Sequence, residues 1–162
     1  MKEKTQRRMF KYLAESGIEN FLGVPDSTMK HFIDEGLKEK KILVTTREDE
    51  AIGIAVGMTL SGSPSVVFMQ NAGFGNSIGT ITSLVQLYKI PLVFIVGWRG
   101  YIKNDAPEHL QLGKIQPDLI KLVGLKSKIM TDKNWRDCCK WAIKQIENNR
   151  SCILVIRRLF HD

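Results

Sequence analysis

Short apolar runs and amphipathic stretches alternate along the chain. Six runs, at 21–24, 42–45, 66–70, 92–97, 126–130 and 153–157, are rich in Val, Ile, Leu and Phe and mostly lack in/out alternation. Such runs suit strands covered on both faces, as in a parallel sheet. Between them, stretches with helical spacing fall at 6–16, 28–38, 49–60, 77–87, 117–122 and 135–148. In the last, Trp135, Cys138, Cys139, Ala142, Ile143 and Ile146 recur on one face. Strands alternating with helices predict an α/β fold: a doubly wound, mostly parallel sheet with helices on both faces.

Gly17, the pair Asp26-Ser27 and Gly124 mark helix ends. There is no internal repeat, low-complexity segment or linker, so residues 1–162 read as one domain. One long connection, 98–116, is polar, holds Pro107 and follows directly on a strand. Long connections in compact domains are often functional. Ligands of open α/β sheets gather at the carboxyl ends of strands. That rule selects four segments: 23–28, 46–50, 70–76 and 97–113.

Composition removes several function classes. The chain is 43% hydrophobic and 25% charged, an ordinary globular balance at a length that buries a core without staples. Cys138, Cys139 and Cys152 are odd in number, two are adjacent, and none forms a CxxC, which argues against a disulfide framework and a zinc site. A reduced, cytoplasmic setting is expected. No apolar run is long enough to span a bilayer, and the basic start MKEKTQRRMFKYL lacks the apolar stretch of a secretory signal. The formal charge of +7 raises the question of nucleic acid. Lys and Arg are spread along the chain, however, and no zinc finger, RNP or basic zipper appears. Solvated helix faces and affinity for a small anion are expected instead.

Each selected segment carries a motif, and each motif alone has a plain structural explanation. GVPDST (23–28) is a strand end, a proline turn and a pair of N-cap residues. TREDEAIGIAVG (46–57) opens a helix with Glu48, Asp49 and Glu50, which the helix dipole favours. Its small residues Ala51, Gly53, Ala55 and Gly57 permit close packing or close ligand approach. MQNAGFGNS (69–77) brackets Phe74 with glycines at a strand-to-helix turn, where backbone N–H groups can meet a ligand. It is neither GxGxxG nor a Walker loop, which weakens a nucleotide reading. WRG (98–100) and DAPEHLQLG (105–113) lie in the long connection and contain His109. His31 falls on a helix face and His161 next to the end; neither is given a role.

In this order, the motifs resemble the pyrimidine-binding domain of thiamine-diphosphate enzymes, most of all the sulfopyruvate and phosphonopyruvate decarboxylases. The resemblance covers residues 12–157. It rests on GVP, the RExEA-type helix start, MQNxGxGN, the apolar strand ending in WRG, and the HxxxG that follows. In that family one glutamate bonds the aminopyrimidine ring nitrogen and promotes the tautomer that takes the proton from thiazolium C2. The carbanion then attacks a 2-oxo acid, and the cofactor holds the electrons released as CO2 leaves. Matching AIGIAVG to the family's small-residue helix puts that glutamate at Glu48. A carboxyl in an apolar cleft suits a proton shared with a ring nitrogen.

The resemblance further implies cofactor contacts at Gln70, Asn71, Gly73, Phe74, Gly75 and Asn76. Substrate contacts are implied at Pro25, Asp26, Ser27 and Arg99, and a proton-transferring loop histidine at His109. Lys103 and Lys114 also flank His109 and are candidates for a second substrate anion, as is Arg99; solvated loop charges explain them equally well. The family's diphosphate domain carries a GDG motif and a later asparagine that hold the metal, and no GDG occurs here. The expectation is a split enzyme. This chain would correspond to the alpha subunit, and a beta subunit would carry the diphosphate domain and Mg2+ in an alpha/beta hetero-oligomer. The expected substrate is a small anionic 2-oxo acid, 3-sulfopyruvate before 3-phosphonopyruvate. Two rivals are a catalytically silent module of the same fold and an unrelated flavodoxin-like nucleotide-binding domain. Retention of Glu48 argues against the first, and the missing phosphate motifs against the second.

Overall fold

The six apolar runs become six strands in a computed structural model that describes residues 1–157. They are β1 (Asn20–Gly23), β2 (Ile42–Val44), β3 (Ser65–Gln70), β4 (Val93–Trp98), β5 (Lys126–Met130) and β6 (Cys152–Arg157). Every pairing is parallel, in the order β2-β1-β3-β4-β6-β5. His161 lies outside the described residues. No helix among them is long and apolar enough to cross a membrane.

Helices cover both faces, and this is why the strands show little alternation. Side chains still alternate along each strand, but both directions lead into apolar cores. On one face, Val66, Phe68, Ile95 and Leu154 meet α1 (Glu3–Glu15), α2 (Lys30–Lys38) and α7 (Trp135–Glu147). Phe10, Phe21, Phe32 and Phe68 form the centre of that core, with ring centroids 4.6–6.4 Å apart. On the other face, Val67, Met69, Phe94, Val96 and Val155 meet α3 (Glu48–Leu60), α4 (Asn71–Asn76), a π-helical segment (Ile81–Gln86) and α6 (Pro107–Val123). A short helix, α5 (Ile78–Thr80), joins α4 to the π segment. Within that stretch, the hydroxyls of Thr82 and Ser83 bond back to the carbonyls of Ile78 and Gly79, a local competitor of the regular α-helical ladder. The outer strands depart from the pattern: β2 and most of β5 stand exposed, because each has a neighbour on one side only.

Two predicted boundaries are corrected. MQNAGFGNS is not a turn before a helix at 77; α4 begins directly at Asn71. The long connection is not a loop up to residue 116, because α6 starts at Pro107 and only 99–106 remain irregular. Pro107 occupies the first helical turn, where a missing N–H costs nothing. Pro117 invited the reading of a helix start, yet it sits inside α6. An interior proline cannot donate to the carbonyl four residues earlier. Here that acceptor is Gly113, and the indole Nε1 of Trp98 donates to it at 2.8 Å. A side chain from another element thus supplies the missing donor.

Candidate active site at the carboxyl ends of the strands

The chain leaves β1 for β2 on one side and later returns to place β3 on the other. Connections therefore diverge between β1 and β3, a topological switch point where a crevice forms at the strand ends. GVPDST follows β1, TRED follows β2, QNAGFGN follows β3 and WRG closes β4, so all four motifs converge on this edge. A cleft of about 360 Å³ opens beside the first, lined by Pro25, Asp26, Ser27, Lys30, Ile33 and Asp34, among others.

The three acids opening α3 have different occupations. Asp49 pairs with Arg47 at 2.9 Å, which holds its carboxyl below the usual range. Glu50 turns back to accept from the hydroxyl and backbone N–H of Thr46 at 2.8 and 3.0 Å, which also lowers its carboxyl. These bonds tie the first turn of α3 back to Thr46, the residue before its N-cap Arg47. Glu48 has neither a hydrogen bond nor an ion pair among the described residues and lies half-buried. Its carboxyl rests against the backbone of Gly73, and a Cβ there would overlap it. The first glycine of MQNAGFGN thus makes the space that Glu48 occupies.

The turn after β1 is locked in place. Asp26 is buried and caps a 3-10 turn (Ser27–Met29), accepting from Thr28 N at 3.3 Å, from the Thr28 hydroxyl and from Gln70 Nε2 at 3.2 Å. A Cβ on Gly97 would strike the Asp26 carboxylate and the Thr28 hydroxyl, so the glycine ending the β4 run makes room for the capped turn. Asn71 is also buried and braces the next segment. Its amide donates to Arg99 O at 3.0 Å and accepts from Arg99 N at 3.2 Å. Phe74 is fully buried in the core. The side chains of Asn71 and Phe74 are therefore spent on structure. A Cβ on Gly75 would meet Leu112 and Leu119 of α6 only at ordinary van der Waals distance, and Asn76 ends α4.

Arg99 sits at the centre of the remaining contacts. Its guanidinium meets Asp105 and reaches Ser27 Oγ at 3.3 Å. Lys103 and Lys114 are exposed. His109 is not a loop residue: it stands in the first turn of α6, partly buried, with Nε2 3.9 Å from Glu108 Oε1. Its position follows from the early start of that helix. The folded chain thus pairs Glu48 with Gly73, Asp26 with Gln70, and Arg99 with both Ser27 and Asn71. None of the hydrogen bonds or ion pairs of His109 reaches these residues. Sequence reasoning passed over Thr28, Gly97 and Asp105; the last was visible as the acid opening DAPEH.

Comparisons with known proteins agree with the fold and point to a family. The family described as thiamine pyrophosphate enzyme, N-terminal TPP binding domain, matches residues 3–121. The sulfopyruvate decarboxylase subunit alpha of Methanococcus maripaludis is 34% identical over 117 residues, covering 71% of this chain and 70% of the relative. That of Methanocaldococcus jannaschii is 34% identical over 108 residues, 65% of this chain and 64% of the relative. The phosphonopyruvate decarboxylase of Streptomyces viridochromogenes is 33% identical over 119 residues, 72% of this chain but 30% of that protein. Among solved structures, a protein from Mycobacterium smegmatis described as a thiamin diphosphate-dependent enzyme superposes with a TM-score of 0.71 at 17% identity, covering 94% of this chain and 30% of that one, a likeness of fold. This chain belongs to the thiamine pyrophosphate enzymes and is similar to their N-terminal TPP-binding domain over most of its length.

Proposed function

We propose that this chain is the pyrimidine-binding alpha subunit of a thiamine-diphosphate-dependent decarboxylase that converts 3-sulfopyruvate to sulfoacetaldehyde and CO2. A beta subunit carries the diphosphate-binding domain and Mg2+. The setting is cytoplasmic, in keeping with three free cysteines. The observation that carries the reading is Glu48, the one acid of its trio left without a partner, lying over a glycine at the switch point of the sheet. The residues present fit the pyrimidine end of the cofactor. Glu48 would meet a ring nitrogen with its half-buried carboxyl, and Gly73, whose missing Cβ makes the room that this carboxyl occupies, would keep it in place.

When bound, thiamine diphosphate supplies the electron sink for the C–C bond that breaks as CO2 leaves. Glu48 holds a proton between its carboxyl and the ring nitrogen. Gln70 and the backbone of 71–76 form the adjoining wall. Pro25, Asp26 and Ser27 line the substrate side, Arg99 faces the anionic acid, and His109, on the same segment, carries a proton to or from the reacting carbon. The outward stripe of α3 supports a partner. Gly53 and Gly57 have open space above them, Leu60 is 70% exposed, and all three follow Glu48 on one helix. A helix apolar all round is ordinarily covered on every side.

The relatives matched over the larger share of their own length are alpha subunits acting on sulfopyruvate. Phosphonopyruvate is the second reading, supported by the Streptomyces relatives at 33% and 30% identity. The test is to purify the chain with a beta partner, thiamine diphosphate and Mg2+, and to follow CO2 release from both acids. Turnover of 3-sulfopyruvate is expected, with a loss of about 10²–10⁴-fold in Glu48→Gln, the range for a lost proton-transfer group. Full activity of that variant rules out the role given to Glu48, and preference for 3-phosphonopyruvate selects the second reading.

A further inference from the structure

The connection between β4 and α6 is organised by one buried carboxylate. Asp105 is 2% exposed at its side chain and Arg99 12%. Asp105 accepts from Arg99 Nε at 3.0 Å and from Nη2 at 2.7 Å, and from the backbone N–H groups of Gly100 at 2.7 Å and Ala106 at 2.9 Å. Both ends of the irregular segment are thereby tied to a single side chain. The Arg99 backbone is held from the far side by Asn71, and Arg99 Nη1 donates to Ser27 Oγ at 3.3 Å. Asp105 stays ionised well below the ordinary carboxylate range, because the guanidinium and two backbone donors favour the charged form.

A guanidinium has five N–H donors in a rigid planar fork. Asp105 takes the Nε/Nη2 side of that fork and Ser27 takes one donor on Nη1. One donor on each Nη is left without a partner among the described residues. Ser27, at that end, also lines the cleft after β1.

We propose that Asp105 is a positioning residue for substrate recognition: by engaging Arg99 side-on, it presents the Nη1/Nη2 edge beside Ser27 to the sulfonate of the 2-oxo acid. The inference rests on the decarboxylase reading above and assigns Arg99 the second anion of that substrate. A sulfonate offers a pair of oxygens to two parallel N–H groups, the geometry a fixed guanidinium edge selects and a mobile ammonium does not. The charge of Arg99 is already offset by Asp105, so orientation rather than bulk attraction does the selecting.

Steady-state kinetics of the complex of both subunits on 3-sulfopyruvate test this. Asp105→Asn keeps the shape and removes the charge that orients Arg99. Its KM is expected to rise about tenfold or more while kcat at saturation falls less than about threefold, the signature of lost binding rather than lost chemistry. A merely structural role would lower kcat and the melting temperature with KM unmoved. A KM that stays level or falls overturns the inference. Should Asp105→Asn not fold, Arg99→Lys decides, since the ammonium keeps the pair with Asp105 but has no second planar edge. Its KM must rise by a similar factor, and an unaltered KM overturns the proposal. Absence of turnover by the wild-type complex overturns the decarboxylase reading beneath it, and this inference with it. Turnover with unaltered KM in the variants overturns this inference alone.

Discussion

Glu48, Asp49 and Glu50 are neighbours of nearly equal chemistry, and only their contacts separate them. Asp49 and Glu50 are spent on Arg47 and Thr46 at the start of α3, while Glu48 faces the Gly73 backbone. The helix-dipole explanation of acids at this position holds for all three, so it could not single out Glu48; the resemblance to a family did. A different acid shows what a committed carboxylate contributes. Glu35 on α2 is 6% exposed at its side chain and pairs with Arg7 at 2.8 Å and Lys11 at 3.0 Å on α1. Those bonds, led by Lys11, hold its carboxyl below the ordinary value of 4.5. A carboxylate depressed in the folded state stabilises it fully above the unfolded value, and that contribution is lost as the pH falls through the folded one. Glu35→Gln is therefore expected to lower the melting temperature at neutral pH. The gap to wild type should close as the pH drops below 4.5, measured by thermal unfolding across an acid series. A gap that persists at acid pH would assign the effect to packing.

At the scale of elements, hydrophobic pattern located the inner strands β1, β3, β4 and β6, because a parallel sheet covered on both faces writes itself as continuous apolar runs, and the exposed edge strands β2 and β5 also fell where they were expected. It misplaced the start of α6 because a proline reads locally as a helix boundary, and nothing local announces that an indole will replace its missing N–H. This has a measurable consequence. Trp98→Phe leaves the Gly113 carbonyl without its donor and is expected to cost about 1–3 kcal/mol, the range for a buried polar group left unpaired. The same change in a Pro117→Ala background should cost less, since the alanine restores a backbone N–H that can donate to Gly113 along the helix. Urea unfolding of the four proteins of this cycle measures the difference, and equal costs in both backgrounds would disconnect Trp98 from the proline.

For the whole molecule, the order β2-β1-β3-β4-β6-β5 brings four separated motifs to one edge of the sheet. Beside Glu48 it leaves the outer stripe of α3, with Gly53, Gly57 and Leu60, uncovered among the described residues. The reading of a shared active site predicts that the chain alone, given thiamine diphosphate and Mg2+, releases no CO2 from 3-sulfopyruvate and that adding the beta partner restores release. Turnover by the isolated chain would remove the shared site from the proposal. The α/β class, the strands and the strand-end motifs are legible in the sequence, since burial periodicity and short motifs are local properties; the role proposed for Glu48 rests on the resemblance to a family, because three adjacent acids look alike locally. That Asn71 and Phe74 pack into the scaffold, that His109 rides on a helix, and that Arg99 answers to Asp105 emerges only once the chain is folded. Those outcomes depend on which side chains meet across elements, and distance along the chain carries no record of that.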